Sequence, residues 1–212
     1  GLSSVSLGPP EARAATTVSS VASVPAFQEE VRPNGATLLW QPGGELGKLH
    51  LRMVFLGGPV VEPPGLRGAT GVLATLLTRD TATATAEAVA ERVESLGGSF
   101  QEMAGNNTFG LSAEFLSDHA GDAIAVLAVA VLRPALTPER FQREREAQLA
   151  GLREDNDDVL EWARRLHRAT VFGEHGYAHD SYGTEADLDA LTLDALKEIG
   201  RASCRERVFP VV

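Results

Sequence analysis

Two hydrophobic periodicities alternate along this chain, and together they predict the order of its elements. Apolar residues at every second position, as in KLHLRMVF at residues 48–55, are typical of a half-buried strand. Apolar residues at the 3.6-residue period, as at residues 83–96, indicate a helix with one buried face. The alternating pattern predicts strands at residues 36–41, 48–55, 99–104 and 109–116. The helical pattern predicts helices at residues 68–78, 83–96, 118–132, 137–154 and 157–172, and the start of another at residues 192–199.

The order of these elements predicts the class of fold. Two strands, two helices and two further strands are followed only by helices. This order is typical of an α+β layered domain, in which a mixed or antiparallel sheet is backed by helices. The turn residues agree with it: Gly97-Gly98 suits a helix end, and residues 105–107 suit a hairpin. Thr137 followed by Pro138 is a helix start.

Composition narrows the function classes. At 212 residues, of which 43% are apolar, the chain can bury a sizeable core. No apolar run approaches the roughly 18 residues needed to cross a bilayer. The formal charge of −10 argues against a nucleic-acid-binding surface and is compatible with basic peptide partners.

The two ends of the chain differ in composition from its middle. Residues 1–25 are rich in Ser, Ala, Val and Thr without a sustained period, so we interpret them as a linker or the end of a processed leader. Residues 199–208 read IGRASCRERV, which one reading frame of a common sequencing-adapter oligonucleotide encodes. We therefore expect residues 199–212 to be a non-native tail. The only cysteine, Cys204, lies in this tail and indicates nothing about redox chemistry.

Six short sequences follow one another in an order that carries a resemblance. They are RPNG at residues 32–35, LGGSF at 96–100, LRP at 132–134, FQRE at 141–144, FGEHGY at 172–177 and GTE at 183–185. In this order they resemble the insulinase/pitrilysin (M16) family of zinc metallopeptidases, to which the mitochondrial processing peptidase is related. The resemblance covers about residues 26–198. It implies an M16-type N-terminal half-domain over those residues, truncated at its C-terminus.

The segment GATGVLATLLTRDT at residues 68–81 is similar to the inverted zinc motif of that family, G-x-A-H-x-x-E-H-x-x-x-x-G-T. Histidines four residues apart share one helix face and can bind one Zn²⁺, and the glutamate can act as general base on its bound water. The resemblance places the histidines at Gly71 and Thr75 and the glutamate at Ala74. It places a third ligand, a glutamate about 76 residues past the second histidine, at Gly151. Because all these positions are degenerate, we predict no catalytic residue, no metal ligand and no cofactor in this chain.

The other histidines and acidic residues predict no substitute site. His175 and His179 are four residues apart, but the glycine-rich sequence around them indicates a loop rather than a helix face. The acidic run at residues 155–158 lacks the spaced ligands and the distal glutamate of a calcium loop. It is typical of a solvated turn between helices.

The resemblance implies a subunit of two half-domains, in which paired halves or subunits enclose a chamber and an extended peptide adds to a sheet edge. We expect a non-catalytic M16 subunit or half, inactive alone, that forms a heterodimer with a zinc-bearing M16 subunit or a second half-domain and completes a peptide-binding chamber. Two alternatives stay open. One is a structural core-type subunit of a larger assembly. The other is part of an active zinc metalloendopeptidase whose H-x-x-E-H lies in a missing portion.

The expected partners also follow from the resemblance and the composition. We expect peptide substrates, no nucleic acid and no transmembrane segment. For the compartment, the bacterial cell envelope or periplasm is favoured over the cytoplasm.

Overall fold

The computed structural model describes residues 26–43, 47–206 and 208–211. The described strands are β1 Gln28–Val31, β2 Thr37–Trp40, β3 Lys48–Leu56, β4 Ser99–Ala104, β5 Thr108–Leu116 and β6 Val208–Val211. The described α-helices are α1 Ala69–Leu76, α2 Ala86–Ser95, α3 Ala120–Leu132, α4 Pro138–Asp157, α5 Val159–Phe172, α6 Glu185–Ala190 and α7 Leu193–Glu206. Short 3₁₀ turns lie at Ser117–His119 and Gly176–Ala178.

The strands of the described chain form one sheet in the order β1-β2-β6-β3-β5-β4. β2 and β6 run parallel and the other neighbours run antiparallel, so the sheet is mixed. The longest ladder joins β3 to β5, from Lys48 opposite Leu116 to Leu56 opposite Thr108. β4 pairs with β5 and lies at one edge of the sheet. The predicted α+β class, with a mixed sheet backed by helices, is confirmed.

The core lies between the sheet and the helices that cover one of its faces. Phe55 of β3 and Phe109 of β5 are at most 1% exposed, and their ring centroids lie 5.3 Å apart. α1 buries Val72, Leu73 and Leu76 in the same cluster. Burial of each side chain of this size contributes roughly 1.5–3 kcal/mol. α1 is therefore a fixed structural element, whatever its exposed positions carry.

Side-chain caps set the starts of several helices. The hydroxyls of Thr85 and Thr137 accept hydrogen bonds from the backbone N–H three residues further on, and Asp158 caps α5. α2 and α5 therefore begin at Ala86 and Val159, slightly later than the periodicity predicts, since a capping residue lies outside the helix. No helix in the described ranges is both long and apolar enough to span a membrane.

The sequence patterns miss β1 and α6. β1, with the sequence QEEV, has no buried residue and so no apolar alternation. It forms by pairing with β2 across the Asn34-Gly35 turn, where Val31 lies opposite Thr37. α6 has six residues and one buried side chain, Leu188, which is too little for a 3.6-residue period to show.

The segment interpreted as a non-native tail, residues 199–212, takes regular structure where it is described. α7 continues through it to Glu206, and β6 lies between β2 and β3. The non-native origin of this segment stays a prediction. The linker or leader predicted at residues 1–25 falls outside the described residues.

Candidate functional site

Two of the four degenerate positions, Gly71 and Thr75, share the face of α1 that is turned away from the core. Both are partly exposed, whereas Val72, Leu73 and Leu76 are buried. Residues four apart lie one above the other on a helix. The structure therefore brings the two positions side by side, as the motif requires. The side chain that lies against this face comes from α4, and it is Gln148.

Gln148 fills the space beside Gly71. Its Oε1 lies 2.8 Å from the point that a Cβ on Gly71 would occupy. Its Nε2 donates hydrogen bonds to the carbonyl oxygens of Gly68 and Tyr182, each at 2.9 Å. The carboxamide thus ties α4 to the N-terminus of α1 and to the loop before α6. Any side chain at position 71 would have to displace it.

Ala74 and Thr75 offer no good ligand for a zinc ion. Ala74, where the motif has its glutamate, is fully buried and carries only a methyl group. The Thr75 hydroxyl donates to the carbonyl oxygen of Gly71, 3.3 Å away, which is the usual local partner of a threonine within a helix. A neutral hydroxyl is also a poor ligand for Zn²⁺.

The space beside Gly151, the fourth degenerate position, is open. Apart from its chain neighbours and the backbone of its own helix, no heavy atom of the described residues lies within 4 Å of the point that its Cβ would occupy. The buried stripe of α4 consists of Phe141, Glu144 and Leu152, and Gln148 falls on the same helical face. Gly151 lies two turns after Glu144, at the margin of the same face, and Gln148 is the residue of that face that contacts Gly71. The spacing of this stripe is the sequence signal by which Gln148 could have been found.

A buried carboxylate, which the sequence patterns do not single out, holds the N-terminus of α1. Glu62 is 8% exposed and accepts hydrogen bonds from the backbone N–H groups of Gly68 and Thr70, each at 2.7 Å. It also accepts one from the Thr70 hydroxyl. These N–H groups have no partner within the helix, and the helix dipole favours a negative charge there. Because Glu62 lies six residues before Gly68 in a loop, no local capping motif reveals it.

Two ion pairs fix the segment after α1 against α4. Arg79 binds both carboxylate oxygens of the buried Glu144, with Nε 2.9 Å from Oε1. Asp80 pairs with Arg140, with Oδ2 2.6 Å from Nε, and its Oδ1 also accepts from the Ala86 N–H. Burial alone would raise the pKa of Asp80, but the hydrogen bonds from Arg140 and Ala86 outweigh it and hold that pKa below its ordinary value. Asp80 is therefore charged in the native state at neutral pH.

The two histidines of the Gly-rich loop make local contacts. Nδ1 of His175 accepts a hydrogen bond from the Tyr177 N–H, and the two rings pack edge to face. Burial lowers the pKa of His179, and the charge of Arg67 lowers it further. Across the described ranges, no three His, Cys, Asp or Glu side chains are placed to hold one metal ion.

An open cavity lies at the other end of α1, beside the sheet edge. It has a volume of about 320 Å³ and lies between the end of α1, α2 and β4. Its lining includes the apolar side chains Val89, Val93 and Phe100, with Arg79, Glu94 and Glu102 around them. β4, the edge strand, provides Phe100 and Glu102.

α5 has its polar face turned inward and its apolar face turned outward. Arg165 pairs with Asp180, with Nε 3.5 Å from Oδ2, and Arg168 donates to the Tyr177 carbonyl at 3.1 Å. No residue of α5 is buried. The opposite side carries exposed residues at helical spacing, which we call the outer face of α5: Val159, Trp162, Ala163, Leu166 and Thr170.

The sequence model of the insulinase peptidases, family M16, matches residues 48–184. This match covers more than half of the chain and includes the whole of α1, β4, α4 and α5. The chain belongs to the M16 family. A curated relative, an uncharacterized zinc protease of Rickettsia bellii (strain RML369-C), is 24% identical over 163 residues, which are 76% of this chain and 39% of the relative.

Solved M16-type structures share the fold. An M16 inactive domain from Pseudomonas fluorescens superposes with a TM-score of 0.80 at 24% identity, over 88% of this chain and 46% of that one. A protease from Helicobacter pylori superposes with a TM-score of 0.83 at 16% identity, over 89% of this chain and 46% of that one. A mutant of the ferredoxin protease FusC, in complex with Arabidopsis ferredoxin, gives 0.71 at 16% identity, over 89% of this chain and 22% of that one. The chain thus spans less than half the length of these relatives.

The M16 zinc site can be tested against the residues that this chain places there. A zinc peptidase site needs protein ligands from His, Cys, Asp or Glu, usually three. Here the positions carry Gly71, Thr75 and, on the facing helix, the amide of Gln148, whose Nε2 is already donating to two carbonyl groups. The residues do not fit a zinc ion. No step of a metal-dependent mechanism can be assigned to them.

Proposed function

We propose that this chain is a non-catalytic M16 half that supplies one wall of a peptide-binding chamber, while a zinc-bearing M16 half supplies the chemistry. The observation that carries the proposal is the Gln148 carboxamide against Gly71. The space next to the helix face that would bind zinc is filled by a hydrogen-bonded side chain of the same domain. The scaffold around it is retained, since α1 remains packed in the core.

The outer face of α5 supports a partner half. Val159 is 76% exposed, Trp162 56% and Leu166 52%. An apolar stripe with a tryptophan at its centre is costly to leave in water and is typical of an interface. The solved relatives contain about as much chain again as the part that this chain matches. We assign the outer face of α5 to a second M16-type half-domain, whether that half belongs to the same subunit or to another one.

The edge strand supports a peptide. β4 pairs with β5 on one side, so its other side offers backbone N–H and C=O groups in the part of the sheet that is described. An extended peptide can add to such an edge, gaining affinity from main-chain hydrogen bonds and selectivity from side-chain pockets. The cavity beside Phe100 is such a pocket. Both lie next to the end of α1, so a peptide at this edge passes close to the degenerate motif.

A second function, part of an active zinc metalloendopeptidase, is favoured by one observation. The Rickettsia relative carries the name zinc protease, and this chain matches only 39% of it. In an active metalloendopeptidase of this kind, the surface of this chain would face an H-x-x-E-H motif in another part of the full subunit. A structural subunit without peptide binding is the third candidate, and the absence of any peptide affinity would favour it.

The test mixes the purified chain with an H-x-x-E-H-bearing M16 subunit encoded beside it and follows cleavage of a quenched fluorescent peptide. We expect no cleavage by the chain alone, with or without added zinc. We expect cleavage by the mixture above that of the partner alone, and its loss on adding o-phenanthroline. Cleavage by the chain alone that o-phenanthroline abolishes would overturn the proposal. A mixture no more active than the partner would overturn the role as a chamber wall.

A further inference from the structure

The cavity beside β4 has an apolar interior and a charged rim. Val89 and Val93 of α2 and Phe100 of β4 supply the apolar surface. The Phe100 ring packs edge to face on Phe115 of the core, with centroids 5.8 Å apart, so this surface is held in place. Its volume of about 320 Å³ is enough for one long side chain.

The two carboxylates on the rim have no internal counter-charge. Glu94 of α2 and Glu102 of β4 line the cavity, and the described part of the chain offers neither of their side chains a hydrogen bond or an ion pair. The cation that also lines the cavity, Arg79, is bound through two of its nitrogens to the buried Glu144. The cavity therefore has a net negative rim at neutral pH.

The position of Glu102 in the strand is unusual for a charge. Along β4 it shares a face with Phe100, since successive side chains of a strand point to opposite sides. Its partner across the ladder is Leu111, which is fully buried. Glu102 thus lies on the helix-covered side of the sheet rather than on its open side. Two roles can explain a carboxylate on that side without a partner among the described residues. It can bind a cation from another molecule, or it can keep the edge strand from pairing with another copy of the chain.

We propose that this cavity is a subsite for a lysine or arginine side chain of a peptide paired with β4. The proposal rests on the peptide-binding wall proposed above and names the kind of peptide that the wall selects. The methylene stem of such a side chain packs on Val89, Val93 and Phe100, and its charged head lies between Glu94 and Glu102. A neutral side chain of the same length gains only the apolar contact. An acidic side chain is repelled by the two carboxylates.

The test is a binding titration of the purified chain with short fluorescein-labelled extended peptides that differ at one central position. That position holds lysine, norleucine, which has a similar stem without the charge, or glutamate. Two exposed ion pairs are worth roughly fivefold in affinity. We therefore expect the lysine peptide to bind about fivefold tighter than the norleucine peptide, and this preference to fade in high salt.

Two variants locate the effect. The double variant Glu94→Gln/Glu102→Gln keeps the shape of both side chains and should bind the lysine and norleucine peptides equally. Glu91→Gln, which removes an exposed carboxylate from α2 outside the cavity, should keep the lysine preference. Circular dichroism and size-exclusion chromatography of each variant show whether it is folded and monomeric.

Three results would overturn the subsite. Equal binding of lysine and norleucine peptides to the unmodified chain would remove it while leaving the peptide-binding wall in place. Binding of neither peptide would remove the subsite and the wall together. An unchanged lysine preference in the double variant, accompanied by self-association, would assign Glu102 to protecting the edge from pairing with another copy.

Discussion

The two ends of α1 differ in how completely their polar groups are satisfied. At the N-terminal end, Glu62 accepts from the first N–H groups and Gln148 binds the carbonyl oxygens of Gly68 and Tyr182. At the C-terminal end lie an open cavity, two carboxylates without partners among the described residues, and the edge strand β4. The face of α1 that would hold the metal is filled at Gly71 by Gln148, whereas the cavity beside the edge strand is open. This difference agrees with the proposed function, in which the chain binds a peptide and the zinc chemistry belongs to another half.

Removal of Glu62, which caps the N-terminus of α1, should have the largest effect, and the quantity affected is the free energy of unfolding. Glu62→Ala leaves two N–H groups and a hydroxyl in a buried place without an acceptor, so we expect a loss of about 3 kcal/mol in the free energy of unfolding. Urea unfolding measures it. Glu91→Ala, which removes an exposed carboxylate of α2, is the control and should change stability by less than about 0.5 kcal/mol. A loss below about 1 kcal/mol for Glu62→Ala would show that the cap is dispensable.

Rebuilding the zinc motif tests which residue of α4 faces the metal position. A variant with Gly71→His, Ala74→Glu, Thr75→His and Gln148→Glu presents three ligands on facing helices. Exchanging Gln148→Glu for Gly151→Glu introduces the same side chains but moves the carboxylate three residues along α4, away from the residue that contacts Gly71. We expect the first variant to bind zinc about 100-fold more tightly in competition with a chromogenic chelator, because in the second Gln148 still fills the space that a side chain at position 71 needs. Equal zinc affinities of the two variants would mean that a carboxylate at position 151 can also serve as the third zinc ligand.

The outer face of α5 provides a contrast with both ends of α1, because its apolar side chains point into solvent. Trp162→Asp should leave the free energy of unfolding of the isolated chain within about 0.5 kcal/mol, since the side chain is exposed. It should weaken association with a zinc-bearing M16 half by about 30-fold, as expected for a central interface tryptophan. Sedimentation or calorimetric titration measures the association, with Thr170→Asp at the margin of the face as a milder control. Unchanged association would place the partner elsewhere.

The smallest predicted effect is a pH dependence at the link between α1 and α4. The pKa of Asp80 is lower in the native state than its ordinary value of 3.8. The charged carboxylate therefore stabilises the fold at any pH above 3.8, and this contribution is lost as the pH falls through the lowered native pKa. Loss of the hydrogen-bonded ion pair with Arg140 should make Asp80→Asn cost about 1 kcal/mol at neutral pH, and the lowered pKa makes this cost smaller as the pH falls below 3.8. Urea unfolding of both proteins over this range measures the difference. A cost independent of pH would mean that the charge of Asp80 is not what stabilises the link.

Much of the fold is predictable because its strands and helices have a regular burial pattern. β3, β4 and β5 lie close to where the apolar alternation places them, since each has one face on the core. β1 is not predictable from alternation because none of its four residues is buried. Its place depends on hydrogen bonds to β2 and on the Asn34-Gly35 turn.

The candidate site is only partly predictable, because it depends on which side chain of one helix faces another. Gly71, Ala74 and Thr75 follow from the local motif and lie together on α1 as expected for a helix. Helical spacing from Phe141 and Glu144 places Gln148 on the inner face of α4, but its contact with Gly71 is known only from the structure, and a count from Thr75 leads instead to Gly151. Glu62 lies in a loop six residues from the N–H it caps, and no periodic signal reports such a contact. Long-range contacts of this kind, rather than local pattern, decide whether the zinc position is open or filled.

The most direct test is the zinc content of the chain itself. The protein is purified without chelator, exposed to excess zinc, freed of unbound metal and examined by elemental analysis, with a zinc-bearing M16 peptidase treated in parallel. We predict stoichiometric zinc in the peptidase and only trace zinc in this chain, since Gly71, Thr75 and the hydrogen-bonded Gln148 offer no ligand set. Stoichiometric zinc in this chain, removed by o-phenanthroline, would contradict the proposed loss of the metal site.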